Sequence, residues 1–241
     1  MLYNVHLMTT MKYKAIFFDF DDTLVHSDPP VFDMFLPACE AAGLSFDEDQ
    51  VREGHRFLYE YFSGSLAQKE FADLGHDLEK FHSNLTTNVL VNMGAEHGKA
   101  KAAVQSENLT VALPRGRRCY PEVFSVLDSY KDQGYTMGVI TNNEANIAGQ
   151  CVEHGLDHYF EFVISRIDAG CSKPEAAIFE AALNHVGIKP EEAVHVGDNY
   201  YADVIGARNV GIMPVLLDNH KMFADADCHV IHQIDQLLDV I

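Results

Sequence analysis

Positive charge is scarce in this chain. Seventeen lysines and arginines stand against 36 aspartates and glutamates, a formal net charge of −19. That deficit argues against a surface that wraps nucleic acid or lies on an anionic membrane. An anion bound by such a chain needs local cations or a metal. No apolar stretch approaches the roughly 20 residues of a membrane-spanning helix. The opening "MLYNVHLMTTMKYK" lacks the basic, apolar and small-residue zones of a signal peptide, and residues 1–11 read as a loose N-terminal extension. The five cysteines are odd in number, scattered and without a CxxC pair, which fits reduced thiols in a cytoplasmic protein rather than a disulfide framework. The thirteen histidines form no HExxH or HxH pattern, so zinc is not expected. Repeats and low-complexity tracts are also missing. What remains is ordinary globular composition, 47% hydrophobic and 22% charged over 241 residues. That length suits one large domain, or one domain carrying a smaller insertion.

The apolar runs are short. Ala15 to Phe20, Tyr135 to Thr141, Phe160 to Ser165, Ala193 to Asp198 and Met213 to Asp218 each read as a strand buried on both faces, and His229 to Ile231 adds a possible edge. Helical patterns fall between them at 121–134, 144–155, 173–187 and 203–211, with Pro121 opening the first and Gly134, Gly155 and Gly187 closing three of them. This alternation predicts an α/β fold, a Rossmann-like parallel sheet with right-handed crossovers. Residues 27–118 break the pattern. They read as helices throughout with no persuasive strand, which predicts an all-helical cap domain inserted into a core made of 12–26 and 119–241.

In an open parallel sheet, ligands bind at the carboxyl ends of the strands. There the chain places Asp19, Asp21, Asp22 and Thr23 after the first strand, and Thr141, Asn142 and Asn143 after the second. Lys173 follows the third, and Asp198 and Asn199 follow the fourth, with Asp203 a helical turn later. Carboxylates converging on one point form a hard-cation site suited to Mg²⁺. A carboxylate beside such a cation and a lysine stays ionised and can attack phosphorus. A second carboxyl can protonate a leaving oxygen and then deprotonate water. Thr141 and free backbone N–H groups can hold phosphoryl oxygens.

Four of these stretches carry a family likeness. "DFDDT" resembles the DxDx(T/V) motif of the haloacid dehalogenase superfamily, and "VITNN", "SKP" and "VGDNYYAD" resemble its second, third and fourth motifs, in order. The resemblance implies that Asp19 is a nucleophile forming an aspartyl-phosphate, and that Asp21 is a general acid/base lending its backbone carbonyl to Mg²⁺. It implies that Thr141, with Asn142 beside it, binds the phosphoryl group. Lys173 then balances charge on Asp19 and the phosphate. Asp198 binds Mg²⁺, Asp203 supports it from behind, and Thr23 holds the loop. Asp22 stands where many relatives have glycine and receives no role.

The implied activity is a Mg²⁺-dependent phosphatase acting on a small phosphorylated metabolite, a sugar phosphate or nucleotide, as a monomer or homodimer. Similar dehalogenases lack the second Asp of the first motif, so Asp21 argues for phosphate esters. A sugar phosphomutase shares every core motif and stays open as an alternative. A dehalogenase and a phospho-accepting receiver module stay open behind it; a receiver places its acceptor Asp after the third strand, where this chain has Ser165. Phosphonate-cleaving relatives use a cap lysine, for which Lys69 is the candidate, although it also reads as a solvated helix position. Arg52, Arg56, Arg115, Arg117 and Arg118 are candidate substrate-binding cations that read more simply as surface charge. Tyr59, Tyr61 and Phe62 could stack on a substrate, but their helical spacing reads more simply as core.

Overall fold

A computed structural model of the chain describes residues 12–63, 66–106, 109–111, 116–143 and 146–241. The expected extension at 1–11 and Arg115 lie outside these residues. The elements in chain order are β1 (Ala15–Phe18), β2 (Val25–Asp28), α1 (Val31–Ala41), α2 (Glu48–Phe62), α3 (Leu66–Asp73), α4 (Leu78–Asn92) and α5 (His97–Ser106). Then follow β3 (Gly116–Cys119), α6 (Val123–Asp132), β4 (Thr136–Thr141), α7 (Ile147–Glu153), β5 (Phe162–Ser165), α8 (Arg166–Ala169) and α9 (Ala176–Val186). Next come β6 (Ala193–Gly197), a single wide helical turn at Tyr200–Val204 that runs into α10 (Ile205–Val210), β7 (Met213–Leu217), β8 (His229–Ile231) and a closing 3-10 helix at Ile234–Asp239.

Six strands form one parallel sheet in the order β5-β4-β1-β6-β7-β8. The fold is α/β, as the alternation predicts. Successive side chains of β1 point to opposite faces, so its run of four apolar residues serves two cores. Ile16 and Phe18 join Val126, Leu127, Tyr130 and Val196 on one face. Ala15 and Phe17 join Ile178, Phe179 and Ala182 on the other. The α9 helix that covers this second face stops at Gly187, whose φ of +73° costs no Cβ clash.

The first strand is shorter than its apolar run. The ladder ends at Phe18, and the Phe20 carbonyl instead accepts the amides of Leu24 and Val25 at 3.0 and 3.1 Å. The chain therefore turns directly after Asp19. Asp19 keeps one rung, its N–H donating to the Val196 carbonyl at 2.8 Å, so it is the last residue the sheet still holds.

The expectation of helices alone between 27 and 117 needs correction. Strands β2 and β3 pair antiparallel, Val25 opposite Cys119 through Asp28 opposite Gly116. Their alternating pattern is missing because only the root of the ribbon, Val25 and Cys119, meets the core. His26, Ser27, Arg117 and Arg118 are polar on both sides. Beyond the ribbon, helices α1 to α5 build a separate apolar cluster around Phe32, Phe35, Leu85, Val89, Leu90 and Met93. Among the described residues no helix is long and apolar enough to cross a membrane.

Candidate active site

The sheet changes direction of travel at β1, which has β4 on one side and β6 on the other. The crevice at this switch point gathers the ends of β1, β4 and β6. Asp19, Thr141, Lys173, Asp198 and Asp203 meet there, and all five are buried.

Lys173 lies at the centre. Its Nζ donates to Asp19 Oδ1 at 2.5 Å, to Asp203 Oδ1 at 2.7 Å and to the Ile140 carbonyl at 2.9 Å, which uses all three ammonium protons. Burial alone would lower the pKa of Lys173, but the two carboxylates outweigh it and hold the lysine charged. Its backbone is also clamped. The Asn142 side chain accepts from the Lys173 N–H at 2.7 Å and donates to the Lys173 carbonyl at 3.0 Å. Asn142 is thus spent on Lys173 through both ends of its amide.

Asp203 has both carboxylate oxygens occupied. Oδ1 takes Lys173 and also His195 Nε2 at 2.8 Å, and Oδ2 accepts the Asn199 N–H at 3.1 Å. Burial works against its charge, yet Lys173 and His195 prevail and hold its pKa below the usual carboxylate range. Gly197 explains how the carboxylate reaches this position: a Cβ there would run into the Asp203 side chain. The glycine of "VGDNYYAD" is therefore a space requirement. His195 is fully buried, and burial lowers its pKa, so the proton it shows Asp203 sits on Nε2. Its Nδ1 has no hydrogen-bond partner among the described residues.

Asp198 is different. Thr23 Oγ1 donates to its Oδ1 at 3.3 Å, and the Tyr59 hydroxyl, arriving from α2, also bonds to it. Burial, and then the charges of Asp19, Asp22 and Asp203, push its pKa well above the ordinary value. Asp19 is pushed up to about 7 by burial, against the opposing pull of Lys173. Carboxylate oxygens of Asp19, Asp198 and Asp203 lie within 4.8 Å of one another. Asp19 has Lys173 against its charge, and Asp198 takes the neutral hydroxyls of Thr23 and Tyr59, so a hard cation would balance the crowded carboxylates.

Asp21 lies apart from this cluster. Asn143 Nδ2 donates to its Oδ2 at 2.9 Å, and Arg117 Nη2 pairs with its Oδ1 at 2.9 Å. Asn143 also takes the Thr141 hydroxyl as acceptor for its own N–H at 3.0 Å. Asp22 adopts φ +55°, the left-handed region that favours glycine, and burial followed by the Asp21 charge lifts its pKa to about 6.

The candidate cations go to different places. Arg52 pairs with Asp49, Arg118 pairs with Asp28 at 2.6 Å, and Lys69 is exposed on α3. Arg56 donates to the Met222 carbonyl, which fastens α2 to the loop after β7. Asn199 Nδ2 donates to the Tyr59 carbonyl at 2.9 Å at the same seam. Tyr61 is a core residue bonded to Glu70, and Phe62 is exposed. Sequence reasoning missed His195, Tyr59 as a partner of Asp198, and Arg117 as a partner of Asp21. Only the strand position of His195, directly before the fourth motif, offered a signal.

A family model for haloacid dehalogenase-like hydrolases matches residues 13–211. A glyceraldehyde 3-phosphate phosphatase from Methanothermobacter thermautotrophicus is 29% identical over 95% of this chain and 99% of its own length. One from Pyrococcus furiosus is 30% identical over 95% and 93%. The crystal structure of a HAD phosphatase from Thermococcus onnurineus superposes with a TM-score of 0.56 at 27% identity, covering 94% of this chain and 97% of that one. The four motifs, the sheet that brings them together and these matches agree, and the chain belongs to the haloacid dehalogenase-like hydrolases.

Proposed function

We propose that the chain is a phosphatase for a small phosphorylated metabolite, working through an aspartyl-phosphate on Asp19. The observation that carries this reading is the buried Asp19–Lys173–Asp203 pairing beside a second carboxyl, Asp21, gripped separately. A dehalogenase has no use for that second carboxyl, since a halide leaves without a proton.

Asp19 and Asp198, with the main-chain carbonyl of Asp21, would hold Mg²⁺. Asp203 is poorly suited to ligation because Lys173, His195 and Asn199 already occupy its oxygens. Bound there, the cation supplies positive charge against the crowded carboxylates and the phosphoryl group. In the first step an Asp19 oxygen attacks phosphorus, the P–O ester bond breaks, and the leaving alkoxide takes the proton of Asp21. In the second step ionised Asp21 takes a proton from water, whose oxygen attacks phosphorus. The Asp19–phosphorus bond breaks, inorganic phosphate leaves, and both aspartates return to their starting states. Thr141 holds phosphoryl oxygens, and Lys173 keeps Asp19 oriented while offsetting the charge it gains.

The helices α1 to α5 form the cap over this site, and α2 brings Tyr59 into it. A cap of this kind limits substrates to small molecules and excludes water during transfer. The similar curated enzymes are named for glyceraldehyde 3-phosphate, which makes a three-carbon phosphate the first substrate to try. The five cysteines are free thiols, which supports a reducing, cytoplasmic setting.

The test is release of inorganic phosphate from a panel of triose, sugar and nucleotide monophosphates, with Mg²⁺ and with EDTA, for the wild type and Asp19→Asn. The expected result is Mg²⁺-dependent release that EDTA stops and Asp19→Asn lacks, with the variant's circular dichroism unchanged. Release that survives EDTA would overturn the cation reading, and release by Asp19→Asn would overturn the nucleophile. An isomerised sugar phosphate in place of free phosphate would identify a mutase.

A further inference from the structure

We propose that Arg117, on the ribbon that carries the chain back from the helical segment, is the positioning residue that holds Asp21 in line for proton transfer. The inference rests on the phosphatase reading above, in which Asp21 supplies and removes the proton. Asp21 is held by two donors at equal distance. Arg117 Nη2 meets Oδ1 at 2.9 Å, and Asn143 Nδ2 meets Oδ2 at 2.9 Å. One grip comes from the loop after β4, the other from β3. A carboxylate fixed at both oxygens cannot rotate about its last bond, so its orientation is set before substrate arrives. Arg117 is itself fixed, because its other terminal nitrogen donates to Gln150 Oε1 on α7 at 2.5 Å.

The position of Arg117 on the ribbon adds a second consequence. Arg117 stands opposite Ser27 in the β2–β3 register, one residue from the end of the ladder. Any movement of the helical segment passes through these two strands. The grip on Asp21 is therefore carried by the strand that joins the helical segment to the sheet. Arg118, its neighbour, faces Asp28 and is largely exposed, so the two arginines have separate tasks.

The test separates proton transfer from binding and folding. Wild type, Arg117→Ala, Arg117→Lys, Arg118→Ala and Asp21→Asn are compared in rapid-quench reactions with Mg²⁺. One substrate is an alkyl phosphate such as glycerol 3-phosphate, whose alkoxide must be protonated as it leaves. The other is p-nitrophenyl phosphate, whose leaving group needs no proton. Because general acid catalysis contributes about 10²–10⁴-fold, Arg117→Ala should slow first-step alcohol release at least about tenfold while nitrophenol release stays within about twofold of wild type. Free guanidinium ion should restore part of the alkyl rate, and Arg118→Ala should match wild type on both substrates. Equal losses on the two substrates, a loss confined to KM, or no loss would each overturn the proposal. If Asp21→Asn abolishes alkyl transfer while Arg117→Ala is normal, only the positioning role fails. If Asp21→Asn keeps alkyl transfer, the acid/base reading fails and takes this inference with it.

Discussion

His195 Nε2 lies 2.8 Å from Asp203 Oδ1, and both side chains are closed to solvent. The same oxygen receives Lys173, so one carboxylate anchors the imidazole and the ammonium that faces Asp19. Removing that acceptor leaves Lys173 with Asp19 and the Ile140 carbonyl alone and takes from buried His195 the partner of its Nε2. Asp203→Ala should cost about 3–5 kcal/mol of stability, the usual penalty for breaking a buried ion pair from one side. Chemical denaturation measures it. A loss below about 1 kcal/mol would mean that Lys173 does not depend on Asp203.

Gly197→Ala tests the same anchor from the other direction. The new methyl would occupy the space of the Asp203 carboxylate, which has nowhere to go without losing Lys173. Overpacking of this kind costs about 1–3 kcal/mol, and the displaced carboxylate should lower turnover as well. Normal turnover by Gly197→Ala, followed alongside its denaturation curve, would show that Asp203 can move without harm to the site.

Calcium should occupy the proposed cation site without supporting the reaction. It accepts more ligands at longer distances than Mg²⁺ does, so it would leave the attacking oxygen of Asp19 misplaced. A thermal shift assay should show both ions raising the melting temperature, since binding to the folded state alone stabilises it. Turnover should appear only with Mg²⁺. Calcium that sustains turnover, or that fails to shift the melting curve, would contradict the site's assignment.

The seam between α2 and the loop after β7 predicts a pH effect on stability. His55 stacks on His220 with ring centroids 4.3 Å apart, and on Phe32 at 4.0 Å. Burial, and then the facing His220, lower the His55 pKa from 6.5 to about 3. Below pH 6.5 the unfolded chain binds a proton that the folded chain refuses, so stability is full above that pH and falls as the pH drops towards 3. At pH 5 the cost is at most about 2 kcal/mol. His220 and His195 shift in the same direction, and the raised carboxyls of Asp19, Asp22 and Asp198 oppose them. Comparison with His55→Phe isolates the one ring. Melting temperatures from pH 7.5 to 5 should fall less steeply in His55→Phe; parallel curves would remove His55 as the cause.

The sheet was readable because five of its strands are buried on both faces, and such strands are apolar runs that stop where a polar residue meets the crevice. Asp19, Thr141 and Asp198 were readable for the same reason, since each lies at or next to a strand end, while Lys173 and Asp203, eight and six residues past β5 and β6, were readable only through their motifs. The ribbon was not, because His26 and Arg117 face no core and show no period. Arg117 could not be matched to Asp21 either. The two are 96 positions apart, and only the folded ribbon brings them together. His195 lies inside "AVHVG" and resembles any core residue until its neighbour Asp203 is known. Asn142 was expected beside the phosphoryl group, but its amide is engaged on both sides by Lys173, a pairing across 31 positions that local pattern does not reveal.

The β2–β3 ribbon sends the chain out and brings it back side by side. Asp28 and Gly116 are opposite one another in the ribbon, so the segment between them begins and ends within the width of one strand pair, about 5 Å. A two-residue turn would close that gap as readily as the helices do. The helical segment is thus a cassette. It can be exchanged, lengthened or lost with no cut in the sheet and no change to the chain path that carries Asp19, Lys173 and Asp198. The covalent path between the two parts runs through this one ribbon, so the noncovalent seam of Arg56, Tyr59 and Asn199 is what a different helical segment would have to rebuild.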